Sequence, residues 1–529
     1  MFRTLLAIVV ACAWLAGCGG QSTTPANPPL SQAMQQPVSQ IGGGPRNANS
    51  FELPEPPEVT SIKGVARLSL FVGWDEAKSL PQFEFETPNG PYFHGPTIRV
   101  NPGDTILITL KDVLPPAPGD MADINLHFHG LGASPKPPAD DVLGMLARPG
   151  QELHYVVRIP KNQPPGLYWY HPHVHGKTSY QVGEAGMSGA IIVNGLEHHL
   201  RGLAKMKERV IVVRDTGIGK ERAPDDVGDG MLGMEAERPQ VINNEPCGPE
   251  IGLTPSLNGA PAPQITIAPG EKQFFRLINA TGHKTLKLAV DGGKLEVVAI
   301  DGFALDTYHG TPPTLTESSA VVPPAARLEF IVTGPRVRSA KFRTLCYDTG
   351  PVGDRDPEIV LASFVSPRGR GNPQAVVPPS QMREAAPLPQ NVYTTSLPPV
   401  AATRTVVFSE IAKKFLINGK AFTMDDPPMF IVHVGTVEEW HVLNVSDEIH
   451  DFHIHQVHFL IKEIDGVKLT HPFWADSTVI PHRNRTRHHP GSLLLLMDFR
   501  DPMIKGTFLF HCHILDHEDR GMMAKIEAI

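Results

Sequence analysis

Cysteine is scarce: the chain has five in 529 residues, and two of them, Cys12 and Cys18, fall in an apolar N-terminal stretch. That count excludes a disulfide-dense scaffold. A basic surplus is missing as well. Lys and Arg number 47 against 55 Asp and Glu, a formal net charge of -8, whereas phosphate backbones attract the opposite sign. The Arg483-Asn484-Arg485-Thr486-Arg487 cluster is short and reads as a solvated loop, so no nucleic-acid partner is expected. Beyond the N-terminus no apolar run is long enough to span a bilayer. The four-ligand, finger-like spacings of closed zinc sites are absent too.

Turn formers are plentiful, with 48 glycines and 53 prolines, which suits many short strands better than helices. At 41% hydrophobic and 19% charged, the composition is that of a soluble globular protein. The length predicts about three domains of roughly 150 residues.

Arg3 and the apolar run to Leu15 read as a signal peptide over 1–17. The run ends Leu15-Ala16-Gly17-Cys18, which resembles the bacterial lipobox, where cleavage precedes a cysteine that is then acylated. A plain secretory signal with a chance cysteine is the alternative. Residues 18–54 are rich in Gly, Ser, Gln, Asn and Pro and read as a flexible tether. The expectation is an exported protein of a bacterial cell envelope, periplasmic or surface-facing, touching membrane only through a lipid anchor at Cys18. An oxidising compartment would allow Cys247 and Cys346 to pair, with their geometry left open.

One pattern recurs three times. Alternating residues run through a turn at Thr97-Ile98-Arg99-Val100-Asn101-Pro102-Gly103-Asp104-Thr105, again over Gln264–Phe275 around Pro269-Gly270, and more loosely over Phe430–Trp440 around Gly435. The three glycines stand at near-equal intervals of about 165 residues, and an Asn-Gly turn precedes each copy. The reading is all-β: a first domain over 55–200, a second over 205–366, a Pro-rich linker over 367–403 and a third over 404–529. Residues 217–250 read as a long polar loop.

Histidine, at 24 residues, carries the chemistry. Four His-x-His pairs occur: His127/His129, His171/His173, His453/His455 and His511/His513. On a strand each pair places both rings on one face. The last pair brackets Cys512, which therefore faces the other way. His517 follows that cysteine by five residues and Met522 by ten. Two His, one Cys and a weak axial Met form the ligand set of a blue-copper electron-transfer centre, and His450 supplies the second imidazole. The eight remaining nitrogens suffice for about three further copper ions at two to three ligands each. Gly166–His173 echoes Gly506–His513 almost position for position in residue type, with Pro172 where Cys512 stands. The second domain has neither version, so its expected role is structural.

These motifs, in this order, resemble the three-domain multicopper oxidases, a family that includes bacterial laccases and cuprous oxidases; the resemblance spans roughly 55–529. It implies three consecutive cupredoxin-like Greek-key β-barrels and four copper ions. By motif, His127 and His453 would hold the type 2 copper. His129, His171, His173, His455, His511 and His513 would hold the type 3 pair. His450, Cys512 and His517 would hold the type 1 copper, with Met522 axial. Met523 is excluded by the spacing, and His175 is placed outside the ligand set. Asp451 stands where many members carry proline. Asp140, or its neighbour Asp141, resembles the carboxylate that supports the type 2 side, and Glu518 the one that delivers protons to the type 3 pair; a solvated loop carboxylate is the rival reading of each.

The implied reaction couples four one-electron oxidations to the reduction of dioxygen to water. A laccase-like substrate, a phenol or small aromatic, needs only an accessible imidazole edge, for which His517 is the candidate. Cuprous or other metal oxidation is the alternative; Met-rich segments would favour it, but the 15 methionines are scattered. A non-enzymatic copper-binding or envelope-scaffold role is the remaining alternative. The protein is expected to be a monomer.

Overall fold

A computed structural model of the chain describes residues 41–42, 51–76, 78–116, 122–215, 247, 254–367, 392–411, 414–486 and 488–529. The signal peptide, most of the tether, the 217–250 loop apart from Cys247, and most of the Pro-rich linker lie outside the described residues. Cys247 is disulfide-bonded to Cys346, their Cα atoms 5.4 Å apart.

The described residues form six β-sheets and a few short helical turns. Strands alternate as a half-buried sheet demands: in Val65–Asp75, Ala66, Leu68, Leu70 and Val72 turn inward. The sheets pack in pairs, each pair around its own apolar core, built from 59–193, from 211–364 (with Leu53) and from 406–528. Three successive two-sheet barrels result, the all-β architecture that the repeats predicted.

The repeated turn proves to be the point where the chain changes sheet. Thr97–Val100 pairs in parallel with Gly189–Val193, while Thr105–Asp112, just beyond the turn, pairs in parallel with Val65–Asp75 in the opposite sheet. The other two copies do the same, between Gln264–Thr266 and Lys272–Asn279 and between Phe430–Val432 and Thr436–Asn444. The corner needs positive φ: 90° at Gly103, 80° at Gly270 and 93° at Gly435. Gly270 and Gly435 have open space beside them, so conformation and not crowding selects glycine there. The C-terminal end of the expected tether is docked: Leu53 is buried in the middle core and Glu52 bridges to Gln264.

Two strands position the chemistry. Gly166–His171 lies between Gly189–Val193 and His127–His129; Gly506–Cys512 lies between Met523–Ala528 and His450–Ile454. The sequence echo is thus an echo of neighbours as well.

Candidate metal centre

Antiparallel register sets His171 opposite His127 and His511 opposite His453. The second member of three pairs, His173, His455 and His513, stands just past its strand. All eight rings are buried. His127 stacks on His455 with centroids 3.8 Å apart, and His129 on His453 at 3.9 Å, so each contact joins a pair from the first barrel to one from the third. Possible ligand atoms of the histidines converge in three groups: His127, His129 and His171; His127, His453 and His455; and His173, His455 and His511; a fourth joins His129 and His453 to Asp476. His513 sits at the edge, its ring 5.3 Å from that of His129.

These residues fit copper. Burial holds the pKa values of His127, His129, His171, His453, His455 and His513 well below the usual imidazole range, so the rings are neutral. Nitrogens lacking any hydrogen-bond partner remain: Nε2 of His127, His171 and His453, Nδ1 of His129 and His455, and both of His513. A buried polar atom left unpaired costs about 1–3 kcal/mol, and a neutral imidazole nitrogen is a good donor to copper. The opposite nitrogens are tied down, as ligand histidines usually are. His127 Nδ1 meets Asp140 at 3.0 Å, His129 Nε2 meets Asp476 at 3.1 Å, and the Nδ1 atoms of His171, His453 and His511 donate to the carbonyls of Pro172, Asp476 and Cys512 at 2.8, 2.8 and 2.9 Å.

A second cluster uses the other face of the same strand. Cys512 Sγ lies 3.8 Å from His450 Nδ1 and 3.7 Å from His517 Nδ1, all three side chains buried. Burial pushes the Cys512 thiol well above its usual value; a bound cation is what makes such a sulfur a thiolate. Met522 shares the apolar cluster of Cys512 and hydrogen-bonds through its backbone to both Cys512 and His517, whereas Met523 packs elsewhere, with Phe422 and Leu509. The outer nitrogens meet acids: His450 Nε2 is 3.3 Å from Glu410 and His517 Nε2 is 3.4 Å from Glu448. Phe415 stacks on the His517 ring at 4.1 Å, and only 7% of that side chain is exposed. Access to His517 is therefore narrower than its sequence position suggests.

Neither candidate carboxylate is a solvated loop acid. Asp140 is buried, accepts from Phe128 N–H at 3.0 Å and from Gln456 Nε2 at 2.6 Å, and burial raises its pKa to about 7 against those bonds. Asp141 instead accepts from the N–H groups of Leu143 and Gly144 and closes a turn. Glu518 is buried with Oε2 3.2 Å from His511 Nδ1 and Oε1 3.6 Å from His173 Nε2, while Thr178 Oγ1 donates to it at 3.0 Å. Burial alone would push this acid up, but the His511 and His173 rings hold it well below the usual range. His175 lies outside the cluster, its ring against Phe422.

Sequence reasoning missed Asp476, Arg327, Asp301, Glu410 and Glu448. Arg327 Nη1 and Nη2 donate to both oxygens of Asp476 at 2.5 and 2.6 Å, and Asp301 Oδ2 accepts from the Asp476 and Ser477 N–H groups. The middle barrel, expected to be purely structural, thus grips the carboxylate that orients His129. Arg327 and Asp301 act from another barrel, where no spacing rule reaches, and Glu410 and Glu448, in the same barrel as His450 and His517, belong to no copper motif.

Three family models, each described as multicopper oxidase, match residues 81–198, 168–346 and 393–528. A multicopper oxidase of Staphylococcus haemolyticus is 25% identical over 441 residues, covering 82% of this chain and 81% of that protein. The laccase of Bacillus subtilis is 25% identical over 414 residues, covering 70% and 72%. Among solved structures, a multicopper oxidase from Campylobacter jejuni, described as a metallo-oxidase, aligns with a TM-score of 0.66 at 22% identity, covering 94% of this chain and 96% of that one.

Proposed function

The chain belongs to the multicopper oxidase family, and we propose from that premise that it is a laccase-like oxidase of phenols or other small aromatic reductants. Four one-electron oxidations, one dioxygen and four protons give two waters. The family carries four copper ions, and bound here they supply one-electron redox chemistry at Cys512 and dioxygen reduction at the histidine cluster. His450, Cys512, His517 and Met522 hold the type 1 ion; His127 and His453 the type 2 ion; His129, His171, His173, His455, His511 and His513 the type 3 pair.

One observation carries this reading: a single strand joins the two clusters, and the Cys512 carbonyl accepts a hydrogen bond from His511 Nδ1 at 2.9 Å. Electrons entering at His517 thus have a short covalent and hydrogen-bonded route from Cys512 to the histidines. Asp140 at His127 can hold a proton, and Glu518 at His511, ionised at rest, can accept and pass on the protons that water formation consumes.

The second reading is oxidation of Cu(I) or another metal ion. Glu410 and Glu448 beside the outer nitrogens of His450 and His517 favour it, since paired acids attract cations. Steady-state oxidation of a phenol and of Cu(I) by the copper-loaded chain, with dioxygen uptake followed, decides. A phenol preference at one dioxygen per four electrons supports the laccase-like reading; a large Cu(I) preference replaces it.

The proposal includes the division into barrels at 55–200, 205–366 and 404–529 around a linker at 367–403, which the three paired-sheet cores support. It also includes export, a lipid anchor at Cys18 and a monomeric state. Support for export comes from the N-terminal motif and from the Cys247–Cys346 disulfide, a bond that persists in oxidising compartments.

A further inference from the structure

Asp451 lies in the strand His450–Ile454, and its N–H points at the sulfur of Cys512, with nitrogen and sulfur 3.3 Å apart. The direction follows from strand geometry. The N–H and C=O of one strand residue face the same neighbour, and the Asp451 carbonyl accepts from His513 N–H at 2.8 Å. Where the ladder would offer a carbonyl to the Asp451 N–H, the end of Gly506–Cys512 offers Sγ instead. The Asp451 carboxyl gives the sulfur no hydrogen bond: both of its oxygens are buried without a partner.

We propose that the backbone N–H of Asp451, not its carboxyl, raises the reduction potential of the Cys512 centre. An N–H dipole aimed at a ligating sulfur withdraws charge from it, so the sulfur stabilises the oxidised metal less. The residue identity matters because one alternative, proline, has no N–H to give. Proline would fit here without breaking the ladder, since the N–H it removes is spent on sulfur. The consequence is specificity: a higher potential brings less easily oxidised aromatics within reach, beyond what the axial methionine alone permits.

This rests on the reading of His450, Cys512 and His517 as copper ligands. The experiment is a redox titration of the blue absorption in the copper-loaded full chain and in three variants. Asp451→Pro removes the N–H; Asp451→Ala and Asp451→Asn keep it while removing the carboxylic acid. The expected result is a fall in potential for Asp451→Pro alone, reduction becoming roughly tenfold less favourable, or about 59 mV for one electron, with the blue band moved to longer wavelength. A wild-type potential in Asp451→Pro, or an equal fall in Asp451→Ala, overturns the proposal. Should the proline variant fail to fold, electron–nuclear double resonance on wild-type protein labelled with 15N at aspartate decides. A coupling to the Asp451 nitrogen is expected, and its absence overturns the proposal. A wild-type protein that binds copper without blue colour would instead overturn the ligand assignment beneath it.

Discussion

Glu518 holds a carboxylate oxygen 3.2 Å from His511 Nδ1, at a depth that solvent does not reach. Thr178 Oγ1 donates to it at 3.0 Å and His173 Nε2 lies 3.6 Å away. Glu518→Gln keeps the shape and removes the acid. The variant should stay blue and accept electrons from substrate at the wild-type rate. Its reoxidation by dioxygen should slow by about a hundredfold, read by stopped-flow absorption. Unchanged reoxidation would remove Glu518 from the proton path.

Cys512→Ser tests the division between the two clusters. The hydroxyl is a poor ligand for the type 1 ion, whereas His511 and His513 face away from it. Blue absorption and turnover should vanish, while metal analysis still finds most of the histidine-bound copper. Retained blue colour would mean that another sulfur is the ligand.

Arg327→Met tests the grip of the middle barrel on the site. Arg327 and Asp476 are fully buried, and removing one partner of such a pair costs about 3–5 kcal/mol because the other charge is left alone. Calorimetry should show a large drop in thermal stability. Copper content should fall on the side of His129 and His453, whose outward nitrogens Asp476 and its carbonyl hold. Arg327→Lys should recover part of both, since a single ammonium replaces the charge but not the two-pronged contact. Wild-type copper and stability in the methionine variant would make the contact incidental.

Asp356, which is not among the copper ligands, gives a pH signature. Its burial raises the pKa from 3.8 to about 7 despite the Thr285 N–H at 2.9 Å. The folded state therefore holds a proton that the unfolded state has already released. Stability attributable to this group should fall as pH rises from about 4 to 7, and then level off. Asp356→Asn should be near neutral at pH 4 and stabilising at pH 8, by at most roughly 4 kcal/mol. Denaturant melts of both proteins across that range check the sign; a difference that does not vary with pH would contradict it.

Much of this protein is readable from local spacing. The period-two pairing of histidines fixes which rings share a face, because a strand's geometry depends only on neighbours in sequence. The Cys512, His517 and Met522 intervals and the thrice-repeated Pro-Gly or Gly corner are local in the same sense. Sequence intervals likewise separated Met522 from Met523, which the structure packs in different clusters. Other features depend on residues far apart. The sequence shows the corner only as a turn between alternating segments, and the pairing partners reveal that it crosses between two sheets. The pairing of Cys247 with Cys346, the burial of Asp140 and Glu518, and the stacking of Phe415 on His517 have no local signature.

The sequence by itself determined the barrel repeat, the histidine pairs, the cysteine between two of them and the chemistry those donors support. Tertiary structure decided which pairs face each other, that the middle barrel reaches the cluster through Arg327, and that the Asp451 N–H finds a sulfur. The reason is physical. Ligand type and strand periodicity are set over a few bonds, whereas burial, electrostatic environment and hydrogen-bond partners are set by whatever chain packs alongside, here from more than 60 residues away for Asp451 and Cys512 and nearly 150 for Arg327 and Asp476.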